Sequence, residues 1–138
     1  MNKDLHDFEQ FMKQREKASQ AYVNGEIEPL DQLSTHVSPA TIFSPKGDYI
    51  EGADEVNAAN ASSSKMFELG GENRFEILQM AANDGIAFWA GIQRSSVKMQ
   101  GKSKAMPMDL RVTEAFRRED GEWKLVHRHA DMLKSESD

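Results

Sequence analysis

Residues 111–131 read RVTEAFRREDGEWKLVHRHAD. On either side of Glu119-Asp120-Gly121, polar and apolar residues alternate with a period of two, the pattern of strands that bury one face. Gly121 beside an acidic residue suits a tight hairpin, because glycine adopts positive φ at no steric cost. The segment predicts two antiparallel strands, at about 107–119 and 122–132. Glu114 falls among Leu110, Val112 and Phe116, so a carboxylate sits on an apolar strand face. On the second strand Arg128 shares a face with Val126, Ala130 and Met132. Trp123, Leu125, His127, His129 and Asp131 share the other.

Working upstream, two more strands are expected at about 73–82 and 85–99, joined by Asn83-Asp84-Gly85 and followed by the loop Gly101-Lys102-Ser103-Lys104. Before residue 73 the period becomes helical. Leu5, Phe8, Phe11, Met12, Ala18, Tyr22 and Val23 recur at spacings of three and four, predicting a helix over 3–24 that Asn24-Gly25 stops. A short helix is expected from Pro29 to Thr35. A small hairpin follows, Ile42-Phe43 and Tyr49-Ile50 around Pro45-Lys46-Gly47-Asp48. A third helix is expected from about Gly52 to Leu69, ended by Gly70-Gly71.

Helices first and antiparallel strands last give the class α+β. One domain over 1–138 is expected, with a structured core over 3–134 and a frayed polar tail from Ser135 to Asp138. A curved antiparallel sheet wrapped over the N-terminal helices makes a cone, and an open cone encloses a cavity suited to a small ligand.

Composition narrows the function. The 138 residues carry a net charge of −6, the wrong sign for displacing counterions from nucleic-acid phosphates. Cysteine is absent, which excludes disulfides, thiolate metal sites and a thiol nucleophile. No apolar run is long enough to span a bilayer, and the start, MNKDLHDFEQ, lacks the apolar core of a signal peptide. No membrane partner and a cytoplasmic location are expected. No Gly-rich phosphate loop occurs, and Ser44, Ser62, Ser63 and Ser64 lack a nucleophile-elbow context, so no cofactor is expected.

The stretch 111–131, together with ATIFSP…G over 40–52 and the helix-ending Asn24-Gly25-Glu26, resembles the SnoaL-like group of the nuclear transport factor 2-like, cystatin-like superfamily. The association domain of calcium/calmodulin-dependent kinase II ends similarly, with Gly, Trp and paired His at like spacing. The resemblance covers nearly the whole chain and implies a helix-helix-hairpin-helix-sheet cone, commonly dimeric through the outer face of the sheet. It says little about activity, because the fold hosts isomerases, cyclases, dehydratases and assembly domains. Laid on ketosteroid isomerase, the base position falls at Ser44 and the tyrosine position near Ala18, with Tyr22 one turn later. The second carboxyl position falls at Glu114. Serine without an activating partner cannot shuttle a proton near neutral pH, which disfavours steroid-type isomerisation.

Glu114 is the candidate catalytic residue, as a protonated donor, a general acid/base or half of an ion pair; a solvent-facing carboxylate at the mouth is the plain alternative. Arg15 interrupts the apolar stripe of the first helix, so it pairs with Glu114, binds an anionic ligand or extends to water. Trp89 alternates with Ala87, Gly91 and Gln93, which fits a ligand shelf above a hollow or a plug in the cone. Tyr22, Ser44 and Arg128, with Asn60 where relatives place a polar residue, complete the candidate cavity. His127, His129 and Asp131 have the spacing of a metal trio, but the resemblance turns that face outward. There Trp123, His127 and His129 are expected at a dimer interface, with no metal. The function expected is uptake of a compact, partly apolar molecule bearing a carbonyl or carboxylate, with proton transfer of the isomerase, dehydratase or cyclase kind. The alternative is a dimeric assembly module without chemistry.

Overall fold

The computed structural model describes residues 2–134. Helix α1, Lys3–Tyr22, begins at Asn2, whose side-chain oxygen accepts the Leu5 N–H at 3.1 Å while its amide donates to Ala82 O at 2.6 Å. One cap thus satisfies an open helical donor and ties the helix start to the sheet. The helix buries Phe8, Met12, Arg15, Ala18 and Ser19, a stripe at helical spacing that contains one cation. Its end is fixed by Asn24, whose side-chain oxygen accepts from the N–H groups of Gly70 and Gly71 at 2.9 and 3.0 Å.

Helix α2, Glu28–Leu33, leads to the hairpin β1, Thr41–Phe43, and β2, Tyr49–Glu51. Helix α3 spans Ala53–Ser64. The sheet is completed by β3 (Phe67–Asn83), β4 (Ile86–Met99), β5 (Met106–Pro107), β6 (Leu110–Glu119) and β7 (Glu122–Met132). Its order is β2-β1-β7-β6-β4-β3, with β5 paired to β4. The long pairs are antiparallel, and β1 joins β7 in parallel. The architecture is an α+β cone. Phe8 packs its ring against Phe116 (5.1 Å between centroids) and Trp123 (5.5 Å), filling the narrow end. Among the described residues no helix is long and apolar enough to cross a membrane. The tail from Ser135 to Asp138 lies outside the described residues.

Three details differ from the sequence reading. Helix α3 stops at Ser64 rather than near Leu69, because Phe67 and Glu68 pair with Met99 and Lys98 of β4. A short apolar run carries no marker of helix or strand, and the available sheet edge decides. Gly70-Gly71 is then an irregularity within β3, not a helix stop. The strand expected from about 107 divides into β5 and a β6 that begins at Leu110.

Candidate functional site

The wide end of the cone holds a cavity of about 540 Å³ between α1, α3, the β1–β2 hairpin and the inner faces of β4, β6 and β7. At its floor lies Glu114, fully buried. A carboxylate without water must be paired or hydrogen-bonded to remain charged, and here four bonds reach it. Arg15 approaches from α1, donating through Nε to Oε1 at 2.9 Å and through Nη2 to Oε2 at 2.7 Å. Arg128 Nη1 donates to Oε2 at 2.8 Å and Trp89 Nε1 to Oε1 at 2.8 Å. Register explains the convergence: Glu114 faces Trp89 on β4 and Arg128 on β7 as cross-strand partners.

Burial pushes the Glu114 pKa up, but the guanidiniums of Arg15 and Arg128 outweigh it and hold the group at about 2 instead of 4.5. Glu114 is therefore ionised near neutral pH and has no proton to give. It also does not face the cavity; Arg15 and Arg128 do, with the carboxylate beneath them. Arg15 is 3% exposed, and its Nη1 has no hydrogen-bond partner among the described residues.

Gln93 is the member of the site that the sequence reading did not select. Its Oε1 accepts from Arg128 Nη2 at 2.8 Å, fixing the free end of that guanidinium. The signal was present: an amide on the inward face of β4, alternating with Ala87 and Trp89, requires a buried partner.

The other candidates fall in three places. Tyr22 and Asn60 line the cavity wall, and burial raises the Tyr22 phenol above its ordinary 10, leaving it neutral. Ser44 stands at the mouth, hydrogen-bonded to Asp48. Trp89 lies below the floor, wholly buried with its ring tilted against Phe75 at 4.6 Å between centroids, so it is neither a shelf nor part of the cavity lining. Gly91 does not hollow the cone either. A Cβ there would lie 2.1 Å from Glu76 O, where β3 shifts register between Ile77 and Gln79. The glycine allows close backbone approach.

Trp123 also departs from expectation. It is 4% exposed within the single chain, packed on Phe8 and under the Arg118 guanidinium, 4.3 Å from the ring centroid. The cause is a bulge: Ala115 faces His127 while Phe116 faces Leu125, leaving Val126 as the extra residue of β7. Strict alternation would put Trp123 on the face of His127 and His129; one inserted residue turns it to the core. The two histidines stay off the core face: His129 is exposed, and His127 is half-buried at the cavity edge. His127 Nδ1 lies 2.6 Å from Thr41 Oγ1, and Phe43 meets both imidazoles edge-on, at 4.8 and 5.4 Å. Asp131 is engaged by Arg111 at 2.6 and 2.7 Å.

Comparison with known proteins agrees with this architecture. Residues 16–134 match the SnoaL-like domain family. The chain belongs to that family. This SnoaL-like protein superposes on a proposed scytalone dehydratase from Novosphingobium aromaticivorans with a TM-score of 0.77 at 12% identity, covering 94% of this chain and 86% of that one. A proposed dehydratase of the nuclear transport factor 2-like family from Streptomyces avermitilis gives 0.75 at 19% identity, over 94% and 98%. The hub homology domain of calcium/calmodulin-dependent kinase II from Chlamydomonas reinhardtii gives 0.66 at 18%, over 90% and 96%. At these identities the likeness is one of fold. No functionally curated protein matches the sequence.

Proposed function

We propose that this SnoaL-like domain binds a small, partly apolar molecule in the cone, with a carbonyl or carboxylate of the ligand held at Arg15 and Arg128. The observation that carries the reading is a pair of guanidiniums on the cavity lining, Arg15 and Arg128, that share the single carboxylate of Glu114. A carbonyl or carboxylate oxygen held against guanidiniums that are largely shielded from water gains more than it would in water. The cavity volume lies within the range of roughly 300–1,000 Å³ usual for small-molecule sites.

In this reading Glu114 is a positioning residue. Its fixed charge holds the two arginines in place and does not cycle protons. Proton transfer of the isomerase or dehydratase kind would fall to Tyr22 on the wall or Asp48 at the mouth, both of which line the cavity. Assembly as a homodimer is a second reading, supported by Phe43 and Tyr49, 42% and 69% exposed on the outer face beside His127 and His129.

A thermal-shift screen tests the binding reading, using small carboxylates and cyclic ketones on wild type and Arg128→Gln. A true ligand at a hundred times its dissociation constant adds about 2.7 kcal/mol, which raises Tm by several degrees in a domain of this size. The shift is expected in the wild type and reduced in the variant. Equal shifts in both proteins would place the ligand elsewhere, and no shift with any compound would remove the support for a binding cavity.

A further inference from the structure

The charge of the floor and the composition of the rim define the ligand more narrowly. Arg15 and Arg128 bring two positive charges and Glu114 one negative, so the floor keeps one positive charge. Among the side chains that line the cavity the only acid is Asp48, and it lies at the mouth with Lys46 beside it in the same turn. One unit of negative charge is thus what a bound molecule must supply. A dianion would carry a second charge that only Lys46 at the mouth, beside Asp48, could meet.

Above the floor the walls carry aliphatic side chains, Leu30, Val56 and Leu110, beside the polar Tyr22 and Asn60. Nearer solvent they give way to methionines. Met66, Met99, Met108 and Met132 all line the cavity, and Met66 and Met132 are more than half exposed. Methionine is unbranched and rotates about three bonds, so such a rim moulds itself to a flexible chain and imposes little shape. Rigid branched residues would be expected around a ring of fixed outline.

We infer that the cavity takes a monocarboxylate with a flexible aliphatic tail, bound head-down. The carboxylate sits against the Arg15 and Arg128 guanidiniums at the floor, and the tail runs past Leu30, Val56 and Leu110 to the methionine rim. The inference rests on the binding reading above and adds the charge, the polarity and the orientation of the ligand. Selectivity then comes from the single charge at the floor, and affinity from the length of the tail.

Isothermal titration of the full chain with butyrate, hexanoate, octanoate, octan-1-ol and octanedioate tests it. Burying a methylene is worth about 0.8 kcal/mol, or roughly fourfold in Kd. Each two-carbon step from butyrate to octanoate is therefore expected to tighten binding by about an order of magnitude. Octan-1-ol and octanedioate are both expected to bind at least about tenfold more weakly than octanoate, since one lacks the head charge and the other buries a second. Met108→Ser is expected to weaken octanoate and leave butyrate unchanged, a difference that a folding defect would not produce.

Affinity independent of tail length would overturn the tail assignment, and octan-1-ol binding as tightly as octanoate would overturn the head. In either case a cyclic ketone that still binds, with loss in Arg128→Gln, leaves the cavity reading standing. Failure of every acid, alcohol and ketone removes both.

Discussion

Arg128 and His129 are adjacent on β7 and meet opposite surroundings. Arg128 points to the cone floor, where Glu114, Gln93 and Arg15 complete a dry polar network. His129 points outward to the Phe43 edge and to water. The floor is an assembly of fixed charges in which each group depends on the others. The outer face is a set of separate side chains, each able to exchange a protein partner for water. Polar residues of similar appearance in the sequence therefore carry very different energies. The same charge or hydrogen bond is costly to break where water cannot replace it and inexpensive where water can.

The largest test of this contrast is Glu114→Gln. Removing the charge leaves two guanidiniums facing each other around a neutral amide. Breaking one partner of a buried ion pair costs about 3–5 kcal/mol, so a fall in Tm of roughly 10 °C or more is expected. A loss below about 1 kcal/mol in chemical denaturation would mean that the floor behaves like a surface pair, and the contrast would collapse.

Trp123→Ala is of similar size and asks which face Trp123 belongs to. Emptying a core site of this kind costs about 3–5 kcal/mol, with no change in molar mass by light scattering. Were Trp123 an interface residue, the variant would change its state of association and keep its stability.

Acid sharpens the comparison by titrating the two regions separately. The folded pKa of Glu114 is depressed, so its contribution is fully present above about 4.5 and is lost as pH falls toward 2. The lowering amounts to about 3 kcal/mol, expected in the wild type and missing from Glu114→Gln.

The smallest effect belongs to the outer face. Burial, then the charge of His129, lowers the His127 pKa below 6.5. Its neutral form is favoured by folding, so the contribution holds above pH 6.5 and disappears as pH falls through the folded value. An NMR titration is expected to give a midpoint below 6.5 for His127 and only a slight accompanying change in stability. A midpoint above 6.5 would mean that the ring has gained an anionic partner.

Much of this protein was legible in the chain. The two periodicities, helical before residue 73 and alternating after it, are local consequences of which residues tolerate burial. Together with the turns at Asn24-Gly25 and Asp120-Gly121 they determined the class and the order of elements. Arg15 within an apolar helix stripe and Glu114 within an apolar strand face were each visible as charges that require a partner.

What they meet was decided only by the tertiary structure. The network joins residues 15, 89, 114 and 128 through cross-strand register and helix packing, which no local pattern encodes. The bulge at Val126 is the clearest case. It reverses the faces on one side of a single residue, and it sends Trp123 into the core while His127 and His129 stay off the core face. The boundary at Met66–Leu69 was settled in the same manner. An apolar segment accepts either helix or strand, and the exposed edge of β4 supplied the backbone partners. Sequence determines which groups must be buried or paired; the fold alone decides with whom, because the partners lie far apart along the chain.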